Sequence, residues 1–423
     1  MEAVQNRGIF RDGASGGRRR GVATSSRAMC VGCATDSLRG EPGATTRRPP
    51  PPVGGGGRYC GYDSGMRMRS VAPVSMAVGL LLAPGCGPAA VDQPPEEAVV
   101  VPAEGKVVVY VDAPRRLAGP VLRSFEEQSG IDVEPVYREV VGDGFRDRLL
   151  GEARLGRVDL VWGSSPLAAA DLLREGLALP FRPAGARPVL SQYRDRRSRW
   201  IGFAVNPRVI IYNHRLVERE EAPASVEDLV RPPWGGRGAL ARPAHGGAAF
   251  HAAALFALWG TDRARDFFRT VASNGTRIVG SEQEVRAVVV SGEALWGIID
   301  LDLAIGAKRE ADPLHIFYPD RMAQGAVTIP HVAMLVRNAP NLAQAKGLFG
   351  YLFSTEAAFQ FGQNDSALIT LIPNVPKPEW VPVLGQFNVT LIDNDRVLQV
   401  FADESAFLSG LGLPPASAAA AAR

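Results

Sequence analysis

The sequence predicts an α/β protein of two lobes, each a mixed, mostly parallel sheet flanked by helices, with a hinge of strands that cross between them. Three observations predict it. From Lys106 to Gly163, short apolar runs rich in β-branched residues alternate with stretches of helical period, the pattern of right-handed βαβ units. From Arg199 to Asn213 two long extended runs, RWIGFAV and RVIIYN, are separated only by Asn206 and Pro207, so strands of this length can pass from one lobe to the other. A second alternating set begins at Ser225, and after it the first pattern returns.

The elements follow in order. KVVVYVDA, Lys106 to Ala113, is an apolar run of the kind that forms a buried parallel strand. In the next stretch Leu117, Val121, Leu122 and Phe125 fall on one helical face, and Gly130 supplies the stop. IDVEPVY reads as the second strand, FRDRLLGEARLG as a helix and VDLVWG, Val158 to Gly163, as the third strand. The second set runs through GALARP, the helix AAFHAAALFALW, a helix around Ala264 to Val271, a strand at Arg277 to Val279, the helix EQEVRAVVVSG and a strand opening at Leu295. LHIFYPD and GAVTIPHVAMLVRN then read as strands and NLAQAKGLFGYLFS as a helix. Residues 106–206 with about 314–380 are expected to form the first lobe, and 207–313 with part of the C-terminal helical region the second. Residues 381–423 are expected to hold a C-terminal helix and a disordered, low-complexity tail.

At 423 residues and 46% hydrophobic content the chain can bury a sizeable core, and its net charge of +3 gives no global attraction for nucleic acid. Residues 1–65 carry GGRRR, TTRRPPPP and VGGGG, which read as a disordered basic extension ahead of the start of the protein proper. Cys30, Cys33, Cys60 and Cys86 all precede residue 90, so no disulfide holds the body together, and the zinc-like Cys30/Cys33 spacing has no second pair to complete four ligands. MRMRSVAPVSMAVGLLLAPGCG, from Met66, has the order of a secretory signal: arginines, an apolar run too short to span a bilayer, then small residues before a cysteine. It resembles a bacterial lipoprotein signal over 66–86, with cleavage before Cys86 and lipidation of its thiol; an internal apolar linker is the other reading. Residues 87–105 form a proline-rich tether.

Candidate site residues come from strand ends. WGIIDLDLA, Trp296 to Ala304, sets Asp300 and Asp302 into an apolar, β-branched run, and if it is extended, alternation points both carboxylates the same way. Burying either bare costs several kcal/mol, so they are wet or paired. The other reading ends the strand at Ile299, with the aspartates starting a loop or capping a helix. Gly246 and Gly247, directly before a helix, make a turn whose converging N–H groups suit an anion. Asp112 after the first strand, Ser164 and Ser165 after the third, and Ser281 and Glu282 opening a helix are expected to approach the same interlobe cleft. Such an oxygen-rich lining suits hard cations or protonated amines. No catalytic constellation competes: WGSSP lacks the flanking glycines of a nucleophile elbow, and the five histidines show no HExxH spacing. GxxxxGK[ST] and GxGxxG are absent too, which removes the usual nucleotide readings.

Taken together, VVVYVDAPRRLAGPVLRSFEEQSGIDVEPVYRE, DLVWGSSPLAAADLLREGLALP, WIGFAVNPRVIIYN, AAFHAAALFALWG and GEALWGIIDLDLAIGAKRE resemble the extracellular solute-binding proteins of ABC importers, in the ferric-iron and phosphonate-related branch of the two-lobed periplasmic binding fold. The resemblance runs from Lys106 to about Pro376. It implies a monomeric, non-enzymatic protein with no required cofactor, in the periplasm or at the cell surface, touching the membrane only through a lipid at Cys86. Such a protein captures ferric iron or another hard cation, with phosphate or carbonate as a synergistic anion, and delivers it to a permease. The alternatives are a binding protein for an organic cation or phosphonate, such as a polyamine or aminophosphonate, and a secreted enzyme on the same scaffold. Family members that bind bare ferric iron carry adjacent tyrosines where this chain has Asp300, Leu301 and Asp302, a histidine or other donor at Asp112, and often a glutamate at Ser164. Asp300 and Asp302 then stand as metal ligands, and the Gly246–Gly247 turn matches the family's anion region.

Overall fold

A computed structural model describes residues 105–309, 312–363 and 367–411. The basic extension, the signal segment with Cys86, the tether short of Gly105 and the tail beyond 411 lie outside the described residues.

The first lobe opens with β1 (Gly105–Asp112), α1 (Arg115–Ser129), β2 (Ile131–Tyr137), α2 (Arg138–Val141), α3 (Phe145–Arg154) and β3 (Leu160–Gly163). The α1 face buries Leu117, Val121, Leu122 and Phe125, and Gly130 ends the helix at φ 71° with its N–H on the Glu126 carbonyl. After α4 (Ala170–Arg174) and β4 (Ala178–Leu179) comes β5 (Ile201–Asn213), one continuous strand with every residue buried. Asn206 and Pro207 do not interrupt it; they mark where it changes partner. Up to and including them β5 pairs with β10 (Thr328–Val336), Ile329 opposite Asn206 and Thr328 opposite Pro207; after them it pairs with β8 (Trp296–Asp300), Asp300 opposite Arg208. A residue without an N–H is tolerated at such a change-over.

The second lobe adds β6 (Gly238–Ala241), α5 (Gly246–Trp259), α6 (Thr261–Ser273), β7 (Arg277–Val279) and α7 (Glu282–Val290) before β8, then α8 (Leu301–Arg309) and β9 (Leu314–Phe317). The chain returns through β10 to α9 (Leu342–Tyr351), α10 (Thr355–Phe361) and β11 (Ile369–Thr370) on the first lobe. It ends on the second lobe with α11 (Asn394–Gly410), whose Val397, Val400, Phe401 and Leu408 share one apolar cluster with Phe250 and Phe256 of α5.

The strands run β2-β1-β3-β10-β5-β8-β6-β7, with β4 on β10 and β9 and β11 on β5. The outer ladders β1·β2, β1·β3, β6·β7 and β6·β8 are parallel as expected, whereas every ladder of the crossing strands is antiparallel. The sheet is therefore mixed in each lobe.

The extended reading of Trp296 to Ala304 is corrected. The strand stops at Asp300 and a helix starts at Leu301, placing Asp302 in its first turn. An acid is favoured there because unpaired N–H groups and the helix dipole leave partial positive charge at a helix start.

Candidate functional site

Four helices of nine residues or more begin beside one cleft. Pro114 before α1, Gly246 and Gly247 in α5, Ser281 and Glu282 at α7, and Asp302 in α8 all line a cavity of about 630 Å3 between the lobes. Asp112, Ser164 and Asp300 line it too. Eight of the nine residues expected from the sequence are thus brought together. Ser165 is the exception: it is buried, and its hydroxyl accepts from the Leu167 N–H at 3.3 Å, capping the short turn at Pro166–Ala169. Its extended backbone turns the side chain inward, so it serves the fold and not the cleft.

On the first lobe the β1–β3 register sets Asp112 opposite Gly163. Ser164 then donates its backbone N–H to the Asp112 carbonyl (3.2 Å) and its hydroxyl to the Asp112 carboxylate (3.0 Å). Arg138 Nε donates to the other Asp112 oxygen.

The second lobe builds a buried ion cluster around Arg208, the residue after the hinge proline and only 2% exposed. Its Nη1 donates to Asp300 Oδ1 at 2.6 Å and to Glu282 Oε1, while Glu282 Oε2 accepts the Asp300 N–H at 2.9 Å. Gly247 packs onto this cluster so closely that a Cβ there would stand 2.7 Å from both Asp300 carboxylate oxygens. The glycine turn expected to hold an external anion already has the protein's own carboxylate against it. Burial, then Glu282, push the Asp300 carboxyl up to about 8 against the opposing pull of Arg208.

Asp302 has different partners. Arg116, from α1 on the first lobe, donates Nη2 to Oδ2 at 2.8 Å, and Asn206 donates Nδ2 to Oδ1 at 2.9 Å while accepting the Asp302 N–H at 3.3 Å. Burial pushes this carboxyl up, but Arg116 and the Asn206 hydrogen bond outweigh it and hold the group below its usual range. The Arg116–Asp302 pair crosses the cleft. Asp300 and Asp302 therefore share the cavity without sharing a partner, and among the described residues no group of three or more His, Cys, Asp or Glu side chains is arranged to hold a metal ion.

The sequence reading did not single out several polar residues of the lining: Arg116, Arg138, Arg242, His245, Asn206 and His331. The signals were there in part. Arg115 and Arg116 come just past a strand's carboxyl end, after Ala113 and Pro114, and Arg208 and His331 are basic residues set in largely apolar runs. His251 on α5 is buried and kept neutral, its pKa lowered well below 6.5 by burial and then by Arg208. Tyr318 does not reach the cleft; it stacks on Phe387 at 4.5 Å.

Comparison with known proteins gives a consistent result. Residues 165–383 match the model of the family described as bacterial extracellular solute-binding protein. The chain is 27% identical over 237 residues to the Fe(3+)-binding periplasmic protein of Serratia marcescens, covering 55% of this chain and 65% of that relative. It is 27% identical over 241 residues to a putative 2-aminoethylphosphonate-binding periplasmic protein of Salmonella paratyphi A, covering 55% of this chain and 68% of the relative. Among solved structures, iron-bound HitA from Pseudomonas aeruginosa superposes with a TM-score of 0.65 at 19% identity, covering 73% of this chain and 99% of the other. At that identity the likeness establishes the two-lobed fold.

Proposed function

Because the chain belongs to the family of bacterial extracellular solute-binding proteins, we propose that it is the substrate-binding component of an ABC uptake transporter, capturing ferric iron together with an oxyanion in the interlobe cleft. The observation that carries this reading is the pairing of charges at one cavity: Asp112 with Arg138 and Asp302 with Arg116 line it, as do Asp300 and Glu282, which are backed by the buried Arg208. A cargo of one sign would leave one member of a pair desolvated and unpaired, at a cost of about 3–5 kcal/mol. A cargo with two poles avoids this by inserting into a pair. Its cationic pole takes the carboxylates, as hard cations prefer oxygen. Its anionic pole takes the arginines and helix starts. The lobes hinge where β5 and β10 cross, and cargo held by both lobes selects the closed form that a permease engages. Capture and release leave the cargo chemically unchanged. The reading places the protein in the periplasm or at the cell surface, anchored by lipid at Cys86, and rests there on the order of residues 66–86.

A second reading, an aminophosphonate cargo, is favoured by one observation: among the described residues no tyrosine lines the cleft, and Asp112, Asp300, Asp302 and Glu282 each already have an arginine or asparagine partner. An ammonium and a phosphonate on one small molecule also present two poles.

Thermal-shift titration separates the readings, with ferric citrate, 2-aminoethylphosphonate, inorganic phosphate and spermidine as probes. A two-pole probe at 100 times its Kd stabilises by about 2.7 kcal/mol, while the probes carrying charge of one sign shift nothing. Stabilisation by spermidine or phosphate alone, with none from either two-pole probe, would sink the proposal.

A further inference from the structure

β10 crosses the hinge with all nine residues buried, and His331 lies in its middle at 3% exposure. Three observations single it out. Its Nδ1 is buried and has no hydrogen-bond partner among the described residues, a standing loss in a strand where an aliphatic residue would have none. The β10–β5 ladder slips in register between His331 and Val332, and bulges of this kind re-aim a side chain, often beside a functional site. His331 also lines the cleft next to Asp302 and Asn206. The groups packed around it leave its nitrogen without a donor: Phe203 offers a ring 6.4 Å away, Asn206 is spent on Asp302, and Arg116 is drawn to Asp302.

We propose that His331 is a cargo-contacting residue, its ring nitrogen and the Asp302 carboxylate forming one donor face that holds the electropositive pole of the cargo. This rests on the reading of the cleft as a two-pole site and deepens it by assigning the poles: positive toward His331 and Asp302, negative toward Arg138 and Arg242. The electropositive pole is a trivalent metal ion or an ammonium N–H, since an imidazole lone pair accepts either.

The test titrates the full chain calorimetrically with ferric citrate in one arm and 2-aminoethylphosphonate in the other, for wild type, His331→Ala and His331→Gln. The probe that binds wild type should bind His331→Ala about tenfold or more weakly, with part of the loss recovered in His331→Gln, which keeps a polar acceptor. Imidazole 15N spectra of the wild-type chain provide a second readout independent of any variant's folding. The His331 resonances, identified by their absence from His331→Gln, should move when the binding probe saturates the cleft, with gallium citrate standing in for the paramagnetic ferric complex. Unchanged His331 resonances at saturation, or His331→Ala binding within about twofold of wild type, would overturn the inference while leaving the functional reading standing. A wild type that binds neither probe overturns both.

Discussion

Replacing Arg208 by methionine removes the cation that pairs with both Asp300 and Glu282 beneath Gly247 while keeping most of the side-chain volume. Two carboxylates, Asp300 and Glu282, then face each other with side-chain exposures of 23% and 14%. Breaking a buried pair from one side costs about 3–5 kcal/mol. The low end applies, because Asp300 already tends to hold a proton, pushed up to about 8 even with Arg208 present, and becomes neutral more readily once the guanidinium is gone. At about 2 °C per kcal/mol for a body of this size, about 3 kcal/mol corresponds to a drop in Tm of about 6 °C. Asn at 300 is neutral without taking up a proton, so the double variant Arg208→Met with Asp300→Asn should regain about half of the loss. Differential scanning calorimetry near neutral pH reads both. A single variant within about 1 °C of wild type, or a double variant no more stable than the single, would refute the claim that Arg208 neutralises this cluster.

Gly247→Ala puts a methyl 2.7 Å from the Asp300 oxygens and 2.8 Å from Arg208 Nη1; overpacking of this kind costs about 1–3 kcal/mol, and chemical denaturation should show it alongside weaker cargo binding. Ser165→Ala removes a cap and should cost about 1 kcal/mol without altering cargo affinity, so a change in Kd at unchanged fold would return Ser165 to the site. The pH dependence follows from Asp300. Its folded carboxyl holds a proton up to about 8, against the ordinary aspartate value of 3.8, so the folded state binds more protons between these values and stability falls as pH rises through the window. Asp300→Asn abolishes that slope, and its Tm relative to wild type should climb from pH 5 to pH 8; a difference that stays flat or falls contradicts the raised pKa.

The alternation of strands and helices was legible because its determinants are local: β-branched runs for β1, β3 and β10, an apolar face and a glycine stop for α1. The start of α8 was not legible. Asp300 to Ala304 reads equally as alternation or as a capped helix, and what decides it is tertiary, since Arg208 and Glu282 fix Asp300 at the strand end while Arg116 and Asn206 fix Asp302 two residues on, in the first helical turn. Strand ends pointed to residues that share one cleft for the same topological reason that they converge in other wound sheets. The arginines that pair with the acids escaped notice because Arg116, Arg138 and Arg208 lie 186, 26 and 92 residues from the carboxylates they meet. The acids were visible one by one, and their counter-charges were not.

Direct calorimetric titration of wild type beside a chain carrying Arg138→Gln and Arg242→Gln tests the two-pole cleft most directly, because those residues line it from opposite lobes. Wild type should bind ferric citrate or 2-aminoethylphosphonate, and the double variant should bind the same probe about 100-fold more weakly while remaining folded. Equal affinity in the two chains, or a wild type that binds inorganic phosphate or spermidine as tightly as it binds the two-pole probe, would contradict the account.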